Sequence, residues 1–144
     1  MPDQSYANHA KFVPLFHYTL VPVIILVFIG SLVNLWQSFG DHQRLYSASL
    51  IAAMALALLL TSVFARLFAL GAQDRAIRAE ENLRHFVLTG KLLDRRISVK
   101  QIVGLRFASD AEFQELARKA AEENLPPDTI KKSVKSWRAD HDRI

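Results

Sequence analysis

The chain has 144 residues, no cysteine, and 18 Lys and Arg against 14 Asp and Glu, for a formal net charge of +4. This composition excludes a disulfide framework, a thiolate metal site and a cysteine nucleophile. Charge is unevenly placed: residues 12–40 and 45–65, runs of 29 and 21 residues, contain no Asp, Glu, Lys or Arg, which removes much of the chain from any soluble core.

A bilayer hydrocarbon core of about 30 Å takes about 20 helical residues to cross, so each run predicts a transmembrane helix. The competing reading, a greasy hairpin buried in a soluble protein, needs more chain around it than 144 residues supply. The first run is not read as a cleavable signal peptide, because it exceeds the roughly 7 to 15 residues of an h-region and no Ala-x-Ala site follows. The expected fold class is an all-α membrane protein: a two-helix transmembrane hairpin, a second helix extended into the cytoplasm, and a small C-terminal helical domain. In chain order this gives an N-terminal cytoplasmic tail (1–12), transmembrane helix 1 (13–38), a non-cytoplasmic turn (39–44), transmembrane helix 2 (45–70), a juxtamembrane cytoplasmic helix (71–89) and a C-terminal cytoplasmic helical domain (90–144).

In the first span Pro14 suits a first turn, whereas Pro22 removes a backbone donor and frees the Tyr18 carbonyl, which predicts a local bend. His17 lies near the same end. A neutral imidazole there is read as an interfacial hydrogen-bonding group, with a tetrapyrrole ligand as the alternative; a bis-His haem would need a second histidine at membrane depth, and the second span has none. Gly30 and Ser31 form a small patch further along.

The second span carries Ser49, Ala53, Ala57, Thr61, Ala65 and Ala69, small residues four apart, a spacing that lets helix backbones approach closely in lipid. The stripe is expected to pack against the first span at the Gly30 and Ser31 patch, and its drift around the helix leaves part of it for another subunit. Arg66 sits about one turn inside the end of this span, where its stem can carry the guanidinium to lipid phosphates or share a polar site with His17. Sixteen of the 18 Lys and Arg lie from Arg66 onward, and Arg75, Arg78 and Arg84 follow closely, so both termini are expected on the cytoplasmic side.

Past Leu70 the acid-first pairs Asp74/Arg78, Glu80/Arg84 and Glu81/His85 support one continuous helix from about Leu45 to Thr89, stopped at Gly90. Ser98 with Gln101 and Ser109 with Glu112 match the capping box and mark two further helix starts. The second of these shows an apolar face of Phe113, Leu116, Ala117 and Ala120 and ends near Asn124, before Leu125-Pro126-Pro127. Ile130, Val134 and Trp137 suggest a third short helix starting near Pro127, with Lys131, Lys132, Lys135 and Arg138 as a basic face, solvated or drawn to anionic lipid headgroups. About 50 residues make a marginal fold, so docking is expected on the Ala76, Ala79, Leu83 and Phe86 face of the juxtamembrane helix.

The five glycines form neither a P-loop nor a dinucleotide fingerprint, the five histidines include no HExxH pair, and Asp140-His141-Asp142 is a weak metal signal. Asn8-His9, Pro14 and His17, "ARLFAL" with "QDRAIRAEE", and "LRFASD", "ENL", "IKK" and "WRAD" with Arg143 give the chain its resemblance to an uncharacterised family of small bacterial two-span membrane proteins, known only as a domain of unknown function. The resemblance implies two spans and a helical cytoplasmic tail and supplies no activity or catalytic residues; the expected location is a bacterial inner membrane.

The expectation is a non-enzymatic, multi-pass membrane protein that serves as an accessory or assembly subunit of a larger integral membrane complex, respiratory, photosynthetic or transport. Its partners would be membrane lipids and that complex; no nucleic acid and no cofactor are expected. The alternatives are a self-assembling homo-oligomer or small channel, and a pigment or haem carrier using His17.

Overall fold

The computed structural model describes residues 4–9 and 12–140, and the described residues are all-helical apart from an isolated antiparallel bridge between Ala108 and Trp137. Five helices follow in order: α1 (Leu15–Gln37), α2 (His42–Thr89), α3 (Val99–Leu105), α4 (Asp110–Glu122) and α5 (Pro127–Ser133). Two compact units result, one of residues 12–69 and one that unites residues 1–11 with 70–144. α2 contributes to both.

In residues 12–69, α1 opens with a π-helical stretch, Leu15–Leu20, in which the Val21 amide donates to the Phe16 carbonyl five residues back. The cause is Pro22: it lacks the N–H that Tyr18 would receive, and a wide turn makes room for its ring. Asp41 starts α2, its carboxylate accepting the Arg44 amide at 3.1 Å. The helix begins three residues before Leu45 and runs unbroken to Thr89. Gly90, at φ 72°, then donates to Phe86 O at 2.7 Å, the left-handed stop expected there.

Both helices of this unit bury one narrow seam. On α1 and its C-cap the buried or half-buried positions include His17, Val21, Ile24, Phe28, Ser31, Leu35 and the capping Ser38; on α2 they include Leu45, Ala48, Ala52, Ala55, Leu59, Ser62, Arg66 and Ala69. Each series steps alternately by four and three, the 3.5-residue period of a left-handed helix–helix seam. The stripe of Ser49, Ala53, Ala57, Thr61 and Ala65 does not pack the hairpin: all five are exposed, and only Ala69 of the expected six is half-buried. A spacing of four advances about 400° per step and drifts away from a partner, whereas alternating fours and threes stay on it. Ser31 lies in the seam, its hydroxyl donating to Phe28 O at 2.7 Å, but Gly30 faces outward.

The second unit has a core of bulky side chains. Leu105, Phe107, Phe113 and Ile130 are fully buried, with Ile77 of α2, Ile97, Ile102, Leu116 and Val134 around them. Both capping boxes form. That of α3 is the tighter, with Ser98 N donating to Gln101 Oε1 at 2.8 Å; Ser109 N reaches Glu112 Oε1 only at 3.5 Å, because the Glu112 carboxylate also holds the Lys135 and Ser136 amides at 3.1 and 3.0 Å. Gly104 lets α3 and α5 meet, since a Cβ there would lie 3.1 Å from Pro127 O.

The juxtamembrane part of α2 carries this domain, but not on the expected face. Ala76, Ala79, Leu83 and Phe86 are exposed, while Ile77, Glu81, Arg84 and His85 do the docking. Polar anchors decide the face: Leu93 N donates to Asn82 Oδ1, and His85 Nδ1 lies 2.7 Å from Lys91 O, so the chain leaving Gly90 folds back along that side. α5 also stops at Ser133, earlier than expected. Val134 is extended, and Ser109 N to Ser136 O and Arg138 N to Phe107 O are backbone bonds of a short antiparallel pairing. Lys135 and Arg138 therefore do not share a helical face with Lys131 and Lys132.

Candidate functional site

The densest polar arrangement lies in the second unit. Arg84 is its centre: Nη1 meets Glu81 at 3.0 Å, Nη2 meets Asp110 at 2.6 Å and donates to Ala108 O at 2.7 Å, and the guanidinium lies 4.3 Å from the Phe113 ring centroid. One arginine thus ties α2 to the corner between α3 and α4. Glu81 is buried, and its second oxygen lies 3.6 Å from Arg138. The i,i+4 pairs Asp74/Arg78, Glu80/Arg84 and Glu81/His85 do not form among the described residues; Arg84 is drawn instead to Glu81 and across to Asp110, and His85 to the Lys91 carbonyl.

The N-terminal segment docks on the same unit. Gln4 brackets the Asp140 backbone, its Oε1 accepting the Asp140 amide at 2.8 Å and its Nε2 donating to Asp140 O at 3.3 Å. The His9 ring sits 5.5 Å from Tyr6, 5.7 Å from Phe107 and 6.0 Å from Trp137. Its Nδ1 is 2.6 Å from Tyr6 O and its Nε2 is 3.3 Å from Lys131 Nζ. These distances fit one tautomer, with the proton on Nδ1 and Nε2 accepting from the lysine. Arg106, buried, pairs with Asp140 at 2.7 Å and lies over Phe107. The arrangement is a latch that holds residues 4–9 against the last helix and the strand-like tail. Sequence reading treated residues 1–12 as a plain tail and missed it; the signal was the Asn8-His9 stretch, which carried resemblance without a local structural reason.

The basic residues are distributed through this latch. Lys131 faces His9 and lies 3.8 Å from Asp128, Lys132 is 5.4 Å from the Tyr6 ring centroid, and Arg138 reaches Glu81. Lys132 and Lys135 also border an open cleft of about 680 Å³ between α4 and α5, where Glu112, Glu115 and Glu123 oppose them. The mixed signs leave no single-sign field there to select an ion. Among the described residues there is no cluster of three metal-ligating side chains, and His141 and Asp142 of the Asp140-His141-Asp142 signal lie outside the described residues.

In the other unit His17 and Arg66 occupy one end of the hairpin without meeting in a hydrogen bond among the described residues. His17 Nδ1 is 3.1 Å from the Val13 amide and 3.0 Å from its carbonyl, and the ring packs edge-on to Phe12 and Phe16. The Arg66 guanidinium is 6.0 Å from the Phe16 ring centroid and borders an apolar groove of about 240 Å³ lined by Phe16, Val21, Ile24, Leu59, Ser62, Val63 and Leu67.

The fold and these sites define an all-helical protein with two helices long and apolar enough to cross a membrane and a latched helical domain. The chain belongs to the family of unknown function DUF6526, whose model matches residues 1–144. No curated protein and no solved structure matches it. The short stretches that carried the resemblance, far apart in sequence, meet in one unit: His9, Phe107 of "LRFASD", Lys131 of "IKK" and Trp137 of "WRAD" form the latch, and Glu81 of "QDRAIRAEE" pairs with Arg138.

Proposed function

We propose that the protein is a two-span membrane anchor with a latched cytoplasmic domain, acting by binding, as an accessory or assembly subunit of a larger integral membrane complex in a bacterial inner membrane. The observation that carries this reading is the exposure of the large apolar side chains of residues 12–69: Leu26, Trp36, Tyr46, Met54 and Phe68 all stand outward. Only 11% of the apolar window of α1 and 17% of that of α2 is buried, the reverse of a core helix. Two spans return the chain to its starting side, which agrees with residues 4–9 being latched to the domain that follows α2. Positive charge after the second span supports a cytoplasmic position for that side. Arg66, at the rim of its groove, would then meet lipid phosphates.

Binding is favoured over catalysis because Arg84, Glu81, Asp110, Arg106 and Asp140 are engaged with one another in structural pairs. The exposed stripe of Ser49, Ala53, Ala57, Thr61 and Ala65 supports a helix contact outside this hairpin. Extraction from native membranes in mild detergent, native electrophoresis and mass spectrometry of the band test the proposal. Migration in a large assembly with other integral proteins is expected. A stable population holding this chain alone would reject the accessory role, and a visible absorption band lost in His17→Ala would turn the reading to a pigment carrier.

A further inference from the structure

We infer that two copies of this chain pair in parallel through the outer face of α2 between Ala72 and Val87. On this stretch Ala72, Ala76, Ala79, Leu83 and Phe86 recur at alternating spacings of four and three, and all are exposed, Leu83 by 63% and Phe86 by 50%. The opposite face, with Ile77, Glu81 and Arg84, is used by the chain's own domain. The free face is the a/d seam of a coiled coil, apolar at each of those five positions and small where the helices leave the apolar span.

The flanking charges name the occupant. Arg75 and Glu80 are exposed and neither makes an ion pair among the described residues. With Ala76 and Leu83 at a and Ala72, Ala79 and Phe86 at d, Arg75 is at g and Glu80 at the following e. In a parallel, in-register pair g of one helix faces the next e of its partner, so Arg75 of each copy meets Glu80 of the other, twice by symmetry. An antiparallel pair would bring e to e and g to g, like against like. The surface is thus complementary to itself in one orientation, whether or not the pair sits in a larger assembly.

The chain has no native cysteine, so single-cysteine variants of the full-length protein, oxidised in native membranes, report the geometry. Ala76→Cys and Ala79→Cys are expected to give a disulfide product of twice the chain mass, and Arg78→Cys, on the flank, little of it. Equal yields at all three positions, no product at 76 and 79, or a product of another mass would overturn the pairing. In the Ala79→Cys background, Arg75→Glu should lower the yield roughly fivefold, as expected from turning two attractive contacts into repulsive ones. Adding Glu80→Arg should restore it; failure of the exchanged pair to restore the yield would equally reject the register.

Discussion

Residues 12–69 and the C-terminal unit bury opposite kinds of side chain. In the first, the fully buried positions are Ala48, Ala52, Ala55, Ser31, Ser38 and Ile24, Phe28, Leu35, Leu45 and Leu59 are half-buried beside them, and Leu26, Trp36, Met54 and Phe68 stand outside. In the second, Phe107, Phe113, Leu105 and Ile130 are enclosed, and outside the apolar outer face of α2 around Leu83 and Phe86 and the neighbouring Leu92 the surface is largely polar and charged. Water explains the second arrangement, because it expels bulky apolar groups. On the membrane reading proposed above that driving force would be absent for residues 12–69, where small residues instead let neighbouring helices pack. On that reading one chain would follow two packing rules, with the change falling within α2.

The comparison is broken most severely by emptying the C-terminal core. Phe113→Ala removes a fully buried ring that also lies beneath Arg84 and beside His85, at an expected cost of about 4 kcal/mol. Hydrogen exchange of the full chain in detergent should show lost protection in residues 93–137 and retained protection in α1. Equal loss in both would show that the units do not fold independently.

Arg84→Ala tests the polar rather than the apolar part of the same unit. It leaves Glu81, whose side chain is 6% exposed, with only Arg138 at 3.6 Å, and strips Asp110 and Ala108 O of a partner. About 3 kcal/mol should be lost, because the buried carboxylate keeps only the longer contact to Arg138. The companion Glu81→Gln in the Arg84→Ala background should recover part of this; no recovery would mean that packing on Phe113 is the arginine's main role.

A smaller effect separates seam from stripe in the hairpin. Ala52→Leu overfills a buried contact and should destabilise the hairpin by about 2 kcal/mol, whereas Ala53→Leu, one residue on and exposed, should leave its denaturation in detergent unchanged. The reverse ranking would restore the stripe of small residues as the hairpin contact.

The same contrast explains what was legible in the sequence. Element starts and stops in the water-facing part were readable because Ser98, Ser109, Pro127 and Gly90 act locally through backbone groups. The two apolar runs were readable from length alone. The hairpin seam was not: when the outer face is as apolar as the inner one, no periodicity distinguishes Ala52 from Ala53. The docking face of α2 was missed for a different reason, since Ala76, Ala79, Leu83 and Phe86 form the more apolar side and Ile77, Glu81 and Arg84 win through long-range polar partners such as Asp110. Likewise nothing near His9 in sequence announces Phe107 or Trp137.

The finest distinction concerns the loop between α2 and α3, where Asp94 is exposed yet its pKa is held at about 2, below the usual carboxylate range. The cause is Arg96, whose side chain grips both carboxylate oxygens, Nη2 at 2.7 Å, and whose amide donates to Oδ1 at 2.9 Å. A carboxyl with a folded-state pKa below its unfolded one binds its proton more weakly in the folded loop, so its contribution is complete above the unfolded value near 4 and fades as pH falls towards about 2. The Arg96 amide resonance should therefore titrate with a midpoint near 2 in the intact chain and not at all in Asp94→Asn. Because the group is bathed in water, the change should stay within the loop and leave the core around Phe113 as protected as before. A midpoint near 4 would show that the two residues do not hold one another in solution.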